Sequence, residues 1–321
     1  MQVSRMIQVH QFLGLKPGPS LIVLGAVHGN ETCGTIAMRR LIEELGTGIL
    51  RIGCGSLTLV PVANPLAFAR GQRVGDRNLN RNFRPTLHPQ DNEDRIANVL
   101  CPLLASHDVL LDLHSFHSAG EPFAMRGPGN NCGTLESFSL ANEEHALAVR
   151  LGVRRIVDGW MATYSTGVAE RLARTPPAKR AGLLSVDPCY GMGTTEYMRS
   201  QGGYSITLEC GQHEDAQAPE VAYQAIRNAL AHLGLVEDTA PPVCPDPEYL
   251  LLTQVVDRLH TDDTFARPWT SFTPVCRGDV IGIRHGGGAV AAEQDGFVVF
   301  PNPHATVGNE WFYLAQLSKT T

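Results

Sequence analysis

The chain has 321 residues, of which 43% are hydrophobic and 18% are charged, and its formal net charge is -6. This balance is typical of a globular protein with ample material for a core, and the length favours two domains or one large domain with an appendage. The acidic charge argues against a nucleic-acid-binding protein, whose contact surface is usually basic. A small anionic ligand remains compatible with it, because a few local arginines can reverse the field inside a pocket.

The cysteines and the N-terminal segment indicate a cytoplasmic protein. The eight cysteines form no CxxC pair, so we interpret them as reduced thiols that are mostly buried. The segment "MQVSRMIQVHQFLG" lacks the apolar core of a signal peptide. The run "SLIVLGAV" is far too short to cross a bilayer, so we expect no membrane contact.

Apolar segments rich in β-branched residues alternate with helical patterns along most of the chain. The apolar segments predict strands covered on both faces: Leu21–Val27, Leu57–Ala63, Val109–His114, Val153–Val157 and Tyr204–Glu209. The spacing of apolar residues predicts helices over Glu31–Leu45, Glu93–Ala105, Ala141–Leu151 and Pro219–Leu233. This alternation predicts an α/β fold with a mainly parallel mixed sheet flanked by helices.

The composition of the sequence changes near Val236. The segment "EDTAPPVCPDPE" is Pro-rich and acidic, as linkers are, and short strand patterns with turn signals follow it. They predict a small all-β domain of roughly 80 residues, a normal size for an appended module. We therefore predict an α/β catalytic domain over residues 1–237 and a C-terminal β domain over residues 238–321.

The stretch "LGAVHGNETCG" places His28 and Glu31 in a turn between a strand and a helix. A catalytic zinc needs three protein ligands and one open position, and ligands bind α/β proteins at the carboxyl ends of the strands. His114 closes another apolar strand and supplies a third candidate ligand, with Asp112 on the same strand face as its partner. His117 is a competing third ligand, ranked lower because it lies in a loop.

Each of these residues also has a purely structural interpretation. Asn30 could cap the following helix, Glu31 could favour its dipole, and His114 could be a hydrogen-bonded core histidine. Taken together, two histidines at strand ends and a nearby carboxylate favour a metal site.

A hydrolase also needs a group that moves a proton between water and leaving group. "YSITLECG" places Glu209 at the end of a third apolar strand, where a charge has little structural purpose unless it faces a crevice. The alternative is a strand-end glutamate in a salt bridge.

The loop "RGQRVGDRNLNRNFRP" is the main concentration of positive charge. Its default interpretation is a solvated basic surface. Asparagines interleave the arginines, however, and arginine binds carboxylates through two parallel hydrogen bonds. The loop is therefore a candidate anion site.

The motifs "HGNE", "NLNR", "DLHS" and "TLECG", in this order, resemble those of the succinylglutamate desuccinylase and aspartoacylase family, a branch of the zinc carboxypeptidase-like hydrolases. The resemblance covers residues 20–235, with weaker support in the β domain. It implies a zinc carboxypeptidase-like fold and one Zn²⁺ per chain, held by His28, Glu31 and His114.

The resemblance also implies roles for other residues. Glu209 matches the general base, and Arg73 matches an arginine that polarises the scissile carbonyl. Asn80 and Arg81 match a pair that binds a substrate carboxylate, and Arg199 matches a second carboxylate-binding arginine.

Two departures from the family pattern leave the substrate open. Thr195 stands where aspartoacylases place a tyrosine. The family's C-terminal domain lends an aromatic hydroxyl to the site, and no motif in this sequence marks its position; Tyr313 is one candidate.

These residues predict zinc-dependent hydrolysis of the amide bond of a small N-acyl amino acid, with two arginine sites favouring an acidic one. A zinc carboxypeptidase acting on peptides is one alternative, since it shares the chemistry. A non-enzymatic metal-binding module is another, with the β domain as a carrier. The only lysine after Lys179 is Lys319, almost at the terminus, which argues against a carrier. No nucleic-acid partner is expected, and a homo-oligomer is left open.

Overall fold

The computed structural model describes residues 6–182 and 186–318. Lys319 and the first five residues of the N-terminal segment lie outside the described residues.

The strands, in chain order, are β1 His10–Leu13, β2 Lys16–Leu24, β3 Cys54–Val60, β4 Val109–Phe116, β5 Phe123–Met125, β6 Arg155–Asp158, β7 Tyr204–Gln212, β8 Glu248–Asp257, β9 Thr264–Phe265, β10 Thr273–Val275, β11 Val280–Ile283, β12 Ala289–Ala291, β13 Gly296–Val299 and β14 Glu310–Leu317. The helices are α1 Cys33–Thr47, α2 Pro65–Arg70, α3 Asn92–Leu104, α4 Ala141–Ala148, α5 Trp160–Arg174, α6 Thr194–Ser200 and α7 Ala218–His232. Short 3₁₀ turns cover Pro177–Gly182 and Pro188–Gly191.

An eleven-stranded mixed sheet organises the molecule, in the order β1-β3-β2-β4-β7-β5-β6-β8-β14-β13-β10. Strands β3, β2, β4 and β7 run parallel to one another. Strand β1 is antiparallel to β3, and β5 is antiparallel to β7 but parallel to β6. Each predicted strand and helix is present with shifted ends, and the predicted α/β class is confirmed.

Two apolar cores cover the faces of the central sheet. On one face α1 and α7 pack through residues such as Met38, Leu41 and Ile226. On the other face α3 and α6 pack through Leu100 and Met198. Because both faces are covered, the central strands are apolar at nearly every position, which is why the sequence showed runs rather than alternation.

The C-terminal strands continue the same sheet. Strand β8 pairs in parallel with β6, and β14 pairs with β8 in the antiparallel direction. A separate three-stranded sheet has the order β12-β11-β9. The sheet thus crosses the boundary expected at residue 237, and the division into two domains stays a prediction.

The start of α1 differs from the sequence interpretation. The helix begins at Cys33, its N-cap residue is Thr32, and no side chain caps it. The expectation that Asn30 caps this helix is therefore wrong, because Asn30 lies two residues before the N-cap position. The helix ends at Thr47, and Gly48 adopts the left-handed conformation (φ 76°) that closes the last turn.

All eight cysteines are free thiols, as expected, but only Cys33, Cys101 and Cys210 are buried, so the expectation that most of them are buried is wrong. Over residues 6–182 and 186–318, no helix has the length and apolar character required to span a bilayer.

Candidate active site

The turn after β2 is held tightly against the chain that follows β3. The amide of Glu31 donates to the carbonyl of His28 at 3.1 Å, and the amide of Gly29 donates to the carbonyl of Arg73 at 3.3 Å. A Cβ at Gly29 would lie 2.0 Å from the carbonyl carbon of Ala67, so only glycine permits this approach. The turn therefore has a fixed position at the end of the sheet.

His28, Glu31 and His114 converge as predicted. His28 Nδ1 lies 2.9 Å from Glu31 Oε1, and His114 Nδ1 lies 2.8 Å from Glu31 Oε2. One ligand atom from each residue falls within 4.8 Å of the others, and all three side chains are buried. The alternative ligand His117 is not part of this cluster; its ring contacts the ring of His304.

The chemistry of this cluster fits a divalent metal ion. Two imidazoles and a carboxylate are a common donor set for catalytic zinc. His28 Nδ1 is buried and makes no hydrogen bond within the described residues, although Glu31 lies close to it. A buried polar atom without a partner is costly, and a cation between the three side chains would supply one.

Asn78 orients His28, a role that no feature of the sequence pattern indicates. Its Oδ1 lies 2.9 Å from His28 Nε2 and accepts the backbone N–H of Asn80 at 2.9 Å. Since Oδ1 can only accept, His28 Nε2 carries the proton and Nδ1 keeps its lone pair. Burial and the nearby Arg73 lower the pKa of His28 to about 4, so the ring is neutral and able to bind a metal.

Asp112 lies next to the His114 ring, as the sequence suggested. Its Oδ2 lies 3.0 Å from His114 Nε2 and accepts a hydrogen bond from the hydroxyl of Thr194. Burial favours a neutral His114, but Asp112 and Glu31 outweigh it and raise the pKa of His114 well above its usual value. Thr194, which arrives from α6, gave no signal in the sequence.

Glu31 is held in its ionised form. Burial acts to raise its pKa, but the two histidines outweigh that effect, and its pKa lies well below the usual range. A carboxylate, rather than a carboxylic acid, is the form that binds a metal.

Glu209 faces the cluster because of strand register. In the parallel pair β4–β7, Glu209 lies beside His114. The side chain is 8% exposed, and its Oε2 has no hydrogen-bond partner among the residues described. Burial raises its pKa to about 8, against the opposing effect of His114. This is a carboxyl group with the proton affinity of a catalytic base near neutral pH.

A cavity of about 380 Å³ collects the predicted residues at one place. Its lining includes these sequence-predicted side chains: His28, His114, Glu209, Arg73, Asn80, Arg81 and Arg199. Glu31 is not part of this lining and lies behind the two histidines, in contact with both.

The arginine loop contributes two side chains in different states. Arg73 is about half exposed (49%), and its Nη1 donates to Glu31 Oε1 at 2.6 Å. Arg81 is buried against the rings of Trp160 and Tyr164, and it donates to the carbonyl of Asn80 at 2.8 Å. The loop is therefore part of the cavity wall and not a solvated basic surface.

Arg199, in α6, is buried. Its Nε donates to Glu144 at 2.9 Å, its Nη1 to Glu136 at 2.7 Å, and its Nη2 to the carbonyl of Ser205 at 3.1 Å. Every nitrogen of the guanidinium group thus has a protein partner. Its role as a carboxylate ligand stays a prediction, and it would require a substrate to displace a glutamate.

The C-terminal strand β14 contributes two side chains to the cavity. Tyr313 lines it, and its buried hydroxyl finds no hydrogen-bond partner in the described part of the chain. Glu310 also lines it, although nothing in "EWFYLAQL" distinguishes this residue from an ordinary strand-end charge.

Comparison with known proteins finds similarity to the same family in part of the N-terminal half. Residues 17–122 match the model of the succinylglutamate desuccinylase/aspartoacylase catalytic domain. The chain is 26% identical over 220 residues to the rat N-acyl-aromatic-L-amino acid amidohydrolase (carboxylate-forming), covering 68% of this chain and 61% of that enzyme. It is 25% identical over 315 residues to a succinylglutamate desuccinylase from Pseudomonas aeruginosa, covering 91% and 82%.

The fold is shared with solved structures. A succinylglutamate desuccinylase/aspartoacylase from Rhodobacter sphaeroides superposes with a TM-score of 0.71 at 17% identity, covering 97% of this chain and 90% of that one. In the match of residues 17–122, in the order of its motifs and in its fold, the chain is similar to the succinylglutamate desuccinylase/aspartoacylase family.

Proposed function

We propose that the protein is a zinc-dependent hydrolase that cleaves the amide bond of an N-acyl amino acid. The observation that carries the proposal is the placement of Glu209 beside His114 across β4 and β7, with His28, Glu31 and His114 converging beneath the same cavity. A metal-binding cluster with an adjacent buried carboxylate is the arrangement that hydrolysis by water requires.

His28, Glu31 and His114 hold the metal, which when bound lowers the pKa of a water molecule and polarises an acyl carbonyl. Glu209 accepts the proton that the attacking water loses and passes it to the leaving nitrogen. The unpartnered Oε2 of Glu209 is the atom available for this transfer. The high proton affinity of this buried carboxyl favours its action as a base.

Arg73 is placed to stabilise the negative charge that develops on the carbonyl oxygen. Its Nη1 donates a hydrogen bond to Glu31. Its half-exposed guanidinium group lies at the cavity beside the metal cluster. Removing one such donor from an active site typically lowers kcat by about 10²–10³-fold.

Asn80 and Arg81 bind the carboxylate of the amino acid. Arg81 is a buried cation that faces the cavity, and its planar donors match a carboxylate. Asn80 is held at the cavity wall because its Oδ1 accepts the backbone N–H of Thr194 at 2.9 Å, which leaves its amide nitrogen to donate.

The alternatives make distinct predictions. A peptide carboxypeptidase needs room for a polypeptide, whereas this cavity of about 380 Å³ suits a small molecule and is walled by β14. A binding module needs no base, and Glu209 would have no purpose in it.

The free state of all eight cysteines supports a cytoplasmic location.

The proposal is tested by hydrolysis assays on protein of measured metal content. N-acetyl, N-formyl and N-succinyl derivatives of acidic, neutral, aromatic and basic amino acids form the panel, with a long peptide included. We expect release of free amino acid by the metallated protein, loss of activity after chelation, and recovery with Zn²⁺. A fully metallated protein that hydrolyses none of these compounds contradicts the proposal, and preferential cleavage of the peptide favours the carboxypeptidase.

A further inference from the structure

Within the described residues, Glu310 is a carboxylate in the cavity that has no side-chain donor within hydrogen-bond distance. Its nearest side-chain cations are Arg171 Nη2 at 3.7 Å and Arg81 Nη2 at 3.8 Å, both beyond hydrogen-bond distance. Arg171 already donates twice to Asp257, at 2.7 Å each. Burial acts to raise the pKa of Glu310, but Arg81 and Arg171 outweigh it and lower the pKa, so the carboxylate is ionised. Among the described residues, its oxygens can still accept further hydrogen bonds.

Tyr313 is the second unsatisfied group on the same strand. Residues three apart on a regular strand point to opposite faces, but the register of β14 with β8 shifts between Glu310 and Phe312. The irregularity brings both Glu310 and Tyr313 to the cavity. The buried hydroxyl of Tyr313 has no partner in the part of the chain that the structure describes. An unpartnered hydroxyl thus lies in the same cavity as a carboxylate that has no side-chain donor within hydrogen-bond distance.

The other arginines of the cavity are not free to receive a second carboxylate. Arg126 pairs with both oxygens of Asp158, at 2.6 and 2.8 Å, and Arg199 is saturated by Glu144, Glu136 and Ser205. Arg81 is then the buried guanidinium group left for the carboxylate next to the scissile amide. The side-chain end of the substrate faces a carboxylate whose nearest cations, Arg171 and Arg81, lie at 3.7 and 3.8 Å, rather than an unpaired cation.

We propose, on the basis of the deacylase function above, that Glu310 and Tyr313 bind a positively charged substrate side chain, so that the substrate is an N-acyl amino acid with a basic side chain. An ammonium group donates hydrogen bonds to both oxygens and neutralises Glu310. A second carboxylate would meet Glu310 and be repelled, so this inference replaces the expectation of an acidic amino acid.

The test compares substrates of similar length and different charge on the zinc-loaded full chain. Nα-acetylornithine and Nα-acetyllysine are compared with N-acetylnorleucine and N-acetylglutamate. We expect kcat/KM for the basic compounds to exceed that for norleucine by at least about 10-fold, with N-acetylglutamate the poorest, because an unpaired polar group rejects analogues that lack its partner.

Two variants assign this preference to the subsite. Glu310→Gln is expected to reduce the ratio between the ornithine and norleucine compounds to within about 3-fold. Tyr313→Phe removes a hydroxyl that has no protein partner, so it should fold normally and reduce the ratio by a smaller factor. Glu293→Gln, which changes an exposed carboxylate in the same C-terminal segment, is the matched control and should leave the ratio unchanged.

Calorimetric binding of free ornithine, norleucine and glutamate separates this inference from the proposed function. Preferential ornithine binding that Glu310→Gln weakens by at least about 10-fold supports the subsite even if no compound is hydrolysed, in which case only the proposed function fails. Preference for glutamate, or an ornithine preference that Glu310→Gln does not alter, overturns the inference and leaves the deacylase function standing.

Discussion

The protonation of His28 depends on a single side-chain amide. Asn78 Oδ1 accepts the backbone N–H of Asn80, which fixes the orientation of the amide and obliges His28 Nε2 to donate to it. His28 Nδ1 is left with its lone pair directed toward Glu31. Partners of this kind hold a metal ligand in its binding tautomer before the metal arrives.

Asn78→Ala is expected to weaken Zn²⁺ binding by about 10–100-fold, because His28 loses the acceptor that sets its tautomer and ring orientation. Competition with a chromophoric chelator measures the affinity. Asn142→Ala, at an exposed position in α4, is the control and should bind Zn²⁺ as the parent does. Equal affinities for the two variants would contradict the role of Asn78.

At the level of elements, strand register places the chemistry. His114 lies beside Glu209 in β4–β7, and Asp112 lies beside Leu24 in β2–β4. A slip of one residue would turn these side chains to the opposite face of the sheet. The apolar residues around them, buried on both faces, make such a slip costly, so the scaffold specifies the site geometry.

Gly29 fixes the metal-binding turn against the segment after β3. Gly29→Ala is expected to lower the free energy of unfolding by about 1–3 kcal/mol and to weaken Zn²⁺ binding, because its Cβ would lie 2.0 Å from Ala67. Gly46→Ala, inside α1 with no atom within 4 Å of the new Cβ, should be neutral or stabilise by up to about 1 kcal/mol. Chemical denaturation and Zn²⁺ titration of both variants check this, and a Gly29→Ala protein with unchanged metal affinity would count against the fixed turn.

The strands, the helices and four site residues could be predicted from the sequence, because local apolar patterns and polar residues at strand ends indicate them. His28, Glu31, His114 and Glu209 were predicted because charged groups beside apolar strands are conspicuous. Asn78, Thr194 and Glu310 reach the site from a loop, a helix and a distant strand, and only tertiary structure brings them there. The capping role given to Asn30 was wrong because a turn residue, Thr32, occupies the N-cap position.

On the scale of the whole molecule, a buried ion pair joins the helical layer to the C-terminal strands. Arg171 in α5 donates two hydrogen bonds of 2.7 Å to Asp257 at the end of β8, and both side chains are buried. The continuation of the central sheet through β8 was not predicted, because the Pro-rich linker indicated a separate module. Sequence composition marks a linker but does not determine which edge the following strand pairs with.

Asp257→Asn is expected to lower the free energy of unfolding by about 3 kcal/mol, since it leaves Arg171 buried without its counter-charge. Asp246→Asn removes an exposed partner of Arg154 and should change stability by no more than about 0.5 kcal/mol. Urea denaturation of the two variants gives the comparison. A loss for Asp257→Asn as small as that for Asp246→Asn would contradict a structural role for the buried pair.

The most direct test of the account is the turnover and metal content of Glu209→Gln, measured on the same preparation. Glutamine keeps the size of the side chain but cannot take a proton from water, so we predict one bound Zn²⁺ per chain and a loss of at least about 100-fold in kcat. Glu214→Gln, at an exposed position five residues further along, is the control and should retain both metal and turnover. Turnover near that of the parent in a fully metallated Glu209→Gln protein would contradict the assignment of Glu209 as the base.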